Sequence, residues 1–130
     1  MKLEQFSVGD LQIAFNAAAN ETVRLDWTGR SSHRDPARIL AAFFGDALHR
    51  ATTSGVIEMH FEKLEHFNSS TISALIGFVR AARTAGIELR LVFDPGLKWQ
   101  LLSFEALRVF EKPDGLFKLQ PVEAAPEVRP

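Results

Sequence analysis

A chain of 130 residues, 46% of them hydrophobic and eleven of them Phe, is long enough for one domain that buries about two-thirds of its unfolded surface. Fifteen basic against sixteen acidic residues leave a formal net charge of −1 and there is no cysteine, so there is no basic field for nucleic acid and no disulfide, thiol catalysis or zinc–thiolate site. No apolar run reaches the ~18 residues of a membrane span, and Met1-Lys2-Leu3-Glu4-Gln5 lacks the basic-then-apolar pattern of a signal peptide, so a cytoplasmic protein is expected.

Leu11, Ile13 and Phe15 lie two apart, as in a half-buried strand, and Val23, Leu25 and Trp27 repeat that period. The two predict a hairpin with a turn over Asn16 to Asn20. Thr28 to His33 reads as a polar loop. Asp35-Pro36 is a helix start, with Asp as N-cap and Pro at the first helical position. Ile39, Leu40, Phe43, Phe44, Ala47, Leu48 and Ala51 then follow at helical spacing. A strand is predicted from Gly55 to Phe61, followed by a short loop.

Asn68-Ser69-Ser70-Thr71 opens the next helix. All four are capping types, whose side-chain oxygens accept from the unpaired first N–H groups. Four in a row are more than a cap needs. They are either a redundant cap and turn or a hydroxyl displayed at a helix N-terminus, where a phosphate would meet free N–H groups and the positive end of the dipole. Ile72, Leu75, Ile76, Val79 and Ala82 make the buried face of this helix, and Gly86 ends it. Ile87 to Phe93 predicts a strand covered on both sides, Asp94-Pro95-Gly96 a turn, and Leu97 to Phe110 a third helix. On that helix Trp99, Leu102, Ala106, Val109 and Phe110 share one face, while Leu97, Leu101 and Phe104 lie on a neighbouring one. Pro113-Asp114-Gly115 turns the chain into a short strand over Leu116 to Leu119. With three prolines, the end of the chain reads as a disordered tail, which gives a domain over residues 1–120 and a tail over 121–130.

Alternating strands and helices imply an α/β fold: a four- to five-stranded mixed sheet with right-handed crossovers and helices packed on it. In such sheets functional groups gather beyond the C-terminal strand ends, which is where Asn68 to Thr71 stands. Catalytic signatures are missing from the sequence. His33, His49, His60 and His66 form no His-x-x-x-His pair. There is no Gly-x-Ser-x-Gly elbow and no phosphate-cradling Gly-rich loop. Glu62, Glu65 and Asp94 near the Ser-rich loop make a poor triad without a His at a defined spacing, and Glu58, Glu62 and Lys63 read as solvated positions. The expectation is a non-enzymatic protein with no metal and no cofactor.

The element order and the run Asn68-Ser69-Ser70-Thr71-Ile72-Ser73-Ala74-Leu75 together resemble a STAS domain, the fold of anti-sigma-factor antagonists and of sulfate-transporter C-terminal domains. The family pattern is a strand, then Asp-Ser-[Ser/Thr]-Gly, then a helix opening on aliphatic residues. The resemblance covers roughly Thr22 to Gln120 and includes Gly115-Leu116-Phe117, similar to the family's closing segment. It implies a phosphoacceptor at Ser70 and a partner-binding surface of Asn68, Ser69, Thr71, Ile72 and Ser73. The implied partners are an anti-sigma-type Ser/Thr protein kinase and a protein phosphatase, with neither nucleic acid nor membrane involved. Asn68 stands where the family has Asp, which removes a charge near the phosphoacceptor. Thr71 stands where it has Gly, which adds a side chain where a kinase needs close backbone approach.

Phe67 to Ile72, with Trp99-Gln100 and Ser103-Phe104, is also similar to a STAS-like bacterial regulator subfamily with an Asn-Ser-Ser signature. A cousin group with Phe-Asn-Thr-Ser-Ser places its phosphoacceptor at the first hydroxyl after Asn, which here is Ser69. In that group the regulated protein is a nucleotide-signalling enzyme such as a diguanylate cyclase. A scaffold module that is never phosphorylated is the remaining alternative. Trp99, Leu101 and Phe104 are expected to cap the sheet edge or bury against the first helix; otherwise they offer an apolar surface to a partner or to a second copy in a homodimer.

Overall fold

The computed structural model describes residues 5–17 and 22–122. The chain runs through β1 (Gln5–Val8), β2 (Leu11–Ala17), β3 (Val23–Ser31), α1 (Pro36–Arg50), β4 (Val56–His60), β5 (Leu64–Phe67), α2 (Ser69–Thr84), β6 (Glu88–Phe93), α3 (Lys98–Ala106) and β7 (Phe117–Pro121). A 3₁₀ turn, Leu107–Phe110, follows α3. The strands form one mixed sheet in the order β1-β2-β3-β4-β6-β7, with β5 also beside β3. The first three strands are an antiparallel meander, and β3, β4, β6 and β7 run parallel.

Seven strands stand where four to five were expected. The expected polar loop at Thr28 to His33 is strand as far as Ser31, because β2 and then β5 pair with it. The edge strand β1 has only Phe6 and Val8 to mark it. The segment of β5 carries apolar residues three apart, Leu64 and Phe67, a spacing that does not read as a strand. Asn16 and Ala17, expected to open a turn, are the end of β2; the rest of that turn, 18–20, lies outside the described residues, as does the expected tail from 123 onward. Pro121 and Val122 still belong to the sheet, the Val122 N–H donating to Phe93 O at 2.8 Å.

In parallel strands, paired residues point to the same face. One face therefore carries Leu25, Met59, Leu91 and Leu119 in line, all buried. The helices α1 and α2 cover it side by side, joined by Phe44 and Phe78 at 4.5 Å. The other face is a charge ladder. Arg24, Glu58, Arg90 and Lys118 stand in register; Arg90 bonds Glu58 at 3.0 Å, and Lys118 lies 3.6 Å from Glu88. Glu58 and Glu62 are thus half-buried and paired rather than solvated. Burial alone would raise the Glu58 pKa, but hydrogen bonds from His60 and Arg90 hold it below the usual carboxylate value. Among the described residues no helix is long and apolar enough to cross a membrane.

The third helix, expected over Leu97 to Phe110, is α-helical only over Lys98–Ala106. Phe104 is its core residue, stacked on Phe93 at 5.1 Å and close to Phe61 and Phe67. Of the residues expected to cap the sheet or bury, Phe104 is buried and Trp99 half-buried, but Leu101 is 36% exposed; Leu102 and Val109 are 63% and 78% exposed. The change to 3₁₀ at Leu107 rotates later side chains away from the α-helical phase.

Candidate functional site at the α2 N-terminus

The site begins with a sidestep. After His60 the chain leaves the β4 line for three residues and then rejoins β3 as β5. The Phe61 N–H donates to Val92 O and the Leu64 N–H to Phe61 O, both at 2.9 Å. Gln100, fully buried, closes the rest: its Nε2 donates to Phe61 O at 2.6 Å and to Leu64 O at 3.2 Å, and its Oε1 accepts from Asp94 N at 2.8 Å. The sidestep sets β5 against the end of β3, pairing Arg30 with His66 and Ser31 with Phe67.

The Asn68 N–H continues that pairing by donating to Ser31 O at 3.0 Å, and its extended backbone makes it the N-cap of α2. Asn68 Oδ1 accepts from Thr71 N at 2.8 Å and from Thr71 Oγ1 at 2.7 Å, while Nδ2 donates to His33 O at 2.9 Å. Ser31 Oγ lies 2.7 Å from Thr71 Oγ1. With the Thr71 proton given to Asn68, Ser31 is the donor in that contact, and the three side chains form one directional chain.

This network explains both departures from the family pattern. A carboxylate at position 68 has no donor for His33 O, and two acceptors would then face each other. Thr71 is fully buried and turned inward, so its side chain does not stand in the way of an approaching protein. Thr71 was expected in the partner-binding surface; the structure instead places it in the packed interior. Asn68→Asp is expected to lose about 1–2 kcal/mol despite the better charge for a helix N-terminus, read by denaturant titration near neutral pH. A variant as stable as the parent would mean that the bond to His33 is dispensable.

The first two helical residues are left open. Ser69 is exposed, Ser70 half-exposed, and neither hydroxyl has a hydrogen bond among the described residues. The cap does not serve their backbone N–H groups, which are the orphan donors of a helix start. One turn on, Ser73 is exposed, and Ile72 packs against the core edge. Trp99 adds a wall: it is half-buried, edge-on to Phe67 at 5.2 Å, with His66 at 6.4 Å. Trp99→Ala is expected to lose about 1–3 kcal/mol, below the full cost of a buried aromatic, in a thermal or chemical melt. No loss would make Trp99 purely a surface residue.

The remaining titratable residues are spent elsewhere. His60 is clamped between Glu58 at 3.0 Å and Glu62 at 3.2 Å. Glu65 faces Arg30 at 4.0 Å, and Asp94 Oδ1 accepts from Gly96 N. His33 Nδ1 accepts from Asp35 N at 3.0 Å. Among the described residues no group of three or more His, Asp or Glu side chains is arranged to hold a metal ion. Sequence reading gave no such role to Ser31, to the His33 carbonyl or to the Gln100 side chain, whose partners at the site lie more than thirty residues away.

Compared as a sequence, the chain matches no known family model and no curated protein. Compared as a structure, it is similar to the Bacillus anti-sigma factor antagonist SpoIIAA. The unphosphorylated form aligns with a TM-score of 0.57 at 17% identity, over 87% of this chain and 89% of that one. The phosphorylated form aligns with a TM-score of 0.56 at 17% identity, over 85% and 92%. It is also similar to SiaC, the activator seen in complex with the diguanylate cyclase SiaD of Pseudomonas aeruginosa, with a TM-score of 0.63 at 16% identity, over 91% and 98%. The sheet order, the helices on one face and the helix that opens beyond a parallel strand are therefore those of the STAS fold.

Proposed function

We propose that this chain is a non-enzymatic regulatory module that binds a protein partner through the start of α2 and is switched there by phosphorylation of Ser70, with the more exposed Ser69 as the alternative acceptor. The observation that carries this reading is the division of labour at the helix start. Asn68 and Thr71 do all the capping inward, and two neighbouring hydroxyls beside free N–H groups are left facing out. A phosphate there adds about −1.5 to −2 charges, which the helix start tolerates. An interface built on a neutral hydroxyl does not: a penalty of about 3 kcal/mol weakens binding roughly a hundredfold. No change of fold is needed. A partner Ser/Thr kinase of the anti-sigma type would write the mark, and a protein phosphatase would erase it. Likeness to SpoIIAA, whose structure exists in both phosphorylation states, supports this reading.

Likeness to SiaC in its complex with a diguanylate cyclase favours a second reading, in which the partner is a nucleotide-signalling enzyme. The test for both is intact and peptide mass spectrometry of the protein from its native cells, with Ser69→Ala and Ser70→Ala alongside and co-purifying proteins identified. A phosphate lost in one variant is expected to name the acceptor, and a kinase or a cyclase in the eluate to separate the readings. An unmodified mass under several growth conditions would overturn the phosphorylation switch and, with neither kinase nor cyclase co-purifying, favour the scaffold role.

A further inference from the structure

Behind the cap lies a cavity of about 420 Å³, between the β1–β2 turn, the end of β3 and the start of α1. That volume falls in the range of small-molecule sites, about 300–1,000 Å³. Its floor is apolar, formed by Val8, Leu11, Pro36, Ile39 and Leu40. Leu11 and Leu40 belong to the core, so the floor is held by packing from behind. Its rim carries Arg30 and Arg34 with Ser32, His33 and Asp10.

The charges are only loosely engaged. Arg30 stands 4.0 Å from Glu65 with both side chains more than half exposed, and Arg34 has no hydrogen bond or ion pair among the described residues. Among the cavity's own lining residues two guanidinium groups face one carboxylate, Asp10; Glu65 beside Arg30 partly offsets Arg30 and leaves Arg34 as the less engaged cation. A polyanion would meet Asp10 unfavourably. A single carboxylate suits the planar guanidinium fork, and an apolar body suits the floor.

From this cavity we propose a binding site for a small amphipathic carboxylate, its head on Arg30 and Arg34 and its apolar body against Leu11, Ile39 and Leu40. Two residues of its wall also hold the α2 cap: Ser31 O accepts the Asn68 N–H and His33 O accepts Asn68 Nδ2. Occupancy is therefore felt at Asn68. Binding stands independently of the phosphorylation reading; only a regulatory use of that coupling rests on it.

The probes are decanoate, below its micellar concentration, and 4-tert-butylbenzoate, titrated by calorimetry and by ¹H–¹⁵N NMR. The expected result is saturable one-to-one binding of at least one probe, with the Asn68 side-chain amide shifting along the same isotherm. Arg30→Gln/Arg34→Gln, which alters exposed groups only, is expected to weaken binding at least tenfold without changing the melting temperature. Ile39→Trp, which fills the cavity, is expected to abolish it. If neither probe saturates, or binding survives the double arginine variant, the site is overturned. Saturation with an unmoved Asn68 amide overturns the coupling alone.

Discussion

Gly29→Ala is expected to remove about 3–5 kcal/mol of stability, a large part of the roughly 5–15 kcal/mol that holds a domain together. Two effects add at this position. Gly29 has φ +86°, a left-handed conformation that a side chain adopts at a cost of about 1–2 kcal/mol. A Cβ built there would also lie 1.8 Å from Asp10 O and 2.9 Å from Asp10 C. The obstacle is backbone, so no rotamer change relieves it; the β1–β2 turn itself must move. The same carbonyl accepts from the Arg30 N–H at 3.3 Å, and the pairing of β3 with β5 shifts register between Gly29 and Arg30. Gly29 is the hinge of a bulge that lets the turn sit on β3. Gly55→Ala is the control, because Gly55 has φ +75° but open space where its Cβ would go, and about 1 kcal/mol is expected there. Urea titrations of the two variants measure the difference. Equal losses would mean that conformation alone matters and that the close approach to Asp10 carries no weight.

That hinge marks where sequence legibility ends. The helices were legible because their signals are local: Asp35-Pro36 and Asn68 cap the starts, and apolar residues recur at helical spacing behind them. The inner strands were legible because buried apolar residues recur at every second position, as in Leu89, Leu91 and Phe93. β5 was not, because Leu64 to Phe67 becomes a strand only when the sidestep before it is satisfied from α3. The same limit applies at the site. The cap-rich run Asn68 to Thr71 is visible from its composition, but its inward and outward halves are not. Thr71 turns inward because Ser31, forty residues earlier, offers a partner within 2.7 Å. Ser31, one polar residue among several in an apparent loop, carries no trace of that contact in its own neighbourhood. Asn in place of Asp is likewise explained only by the His33 carbonyl across the gap.

Gln100→Leu is the second large effect, and it tests the sidestep directly. Leucine has a similar volume, so packing around Phe61 and Leu64 is largely kept. What goes is polar. The carbonyls of Phe61 and Leu64 lose Nε2, and the Asp94 N–H loses Oε1. Phe61 and Leu64 are 0% and 1% exposed, so water does not replace the lost donor; Phe61 O keeps the Leu64 N–H at 2.9 Å, and half-exposed Asp94 is partly compensated. An unsatisfied buried group costs about 1–3 kcal/mol, and with Phe61 O still bonded to Leu64 the expected loss is about 2–3 kcal/mol in denaturant. Gln100→Glu adds a sign that simple loss of packing cannot mimic. Glutamate keeps an acceptor for Asp94 N, but its ionised carboxylate would face two carbonyl oxygens. Burial and those carbonyls raise its folded-state pKa above the unfolded value near 4.3. The folded state then holds the proton longer than the unfolded one, so stability falls as pH rises from the unfolded pKa through the folded one. The Glu variant is expected to approach the parent near pH 4, where a protonated carboxyl donates one bond, and to fall well below it at pH 7. A pH-independent difference between parent and Glu variant would mean that Gln100 merely fills space. Because β5 leads straight into Asn68, both variants are also expected to shift the Asn68 and Ser69 amide resonances. The start of α2 is aimed by a glutamine that lies beyond α2 and β6 along the chain and touches neither Ser69 nor Ser70.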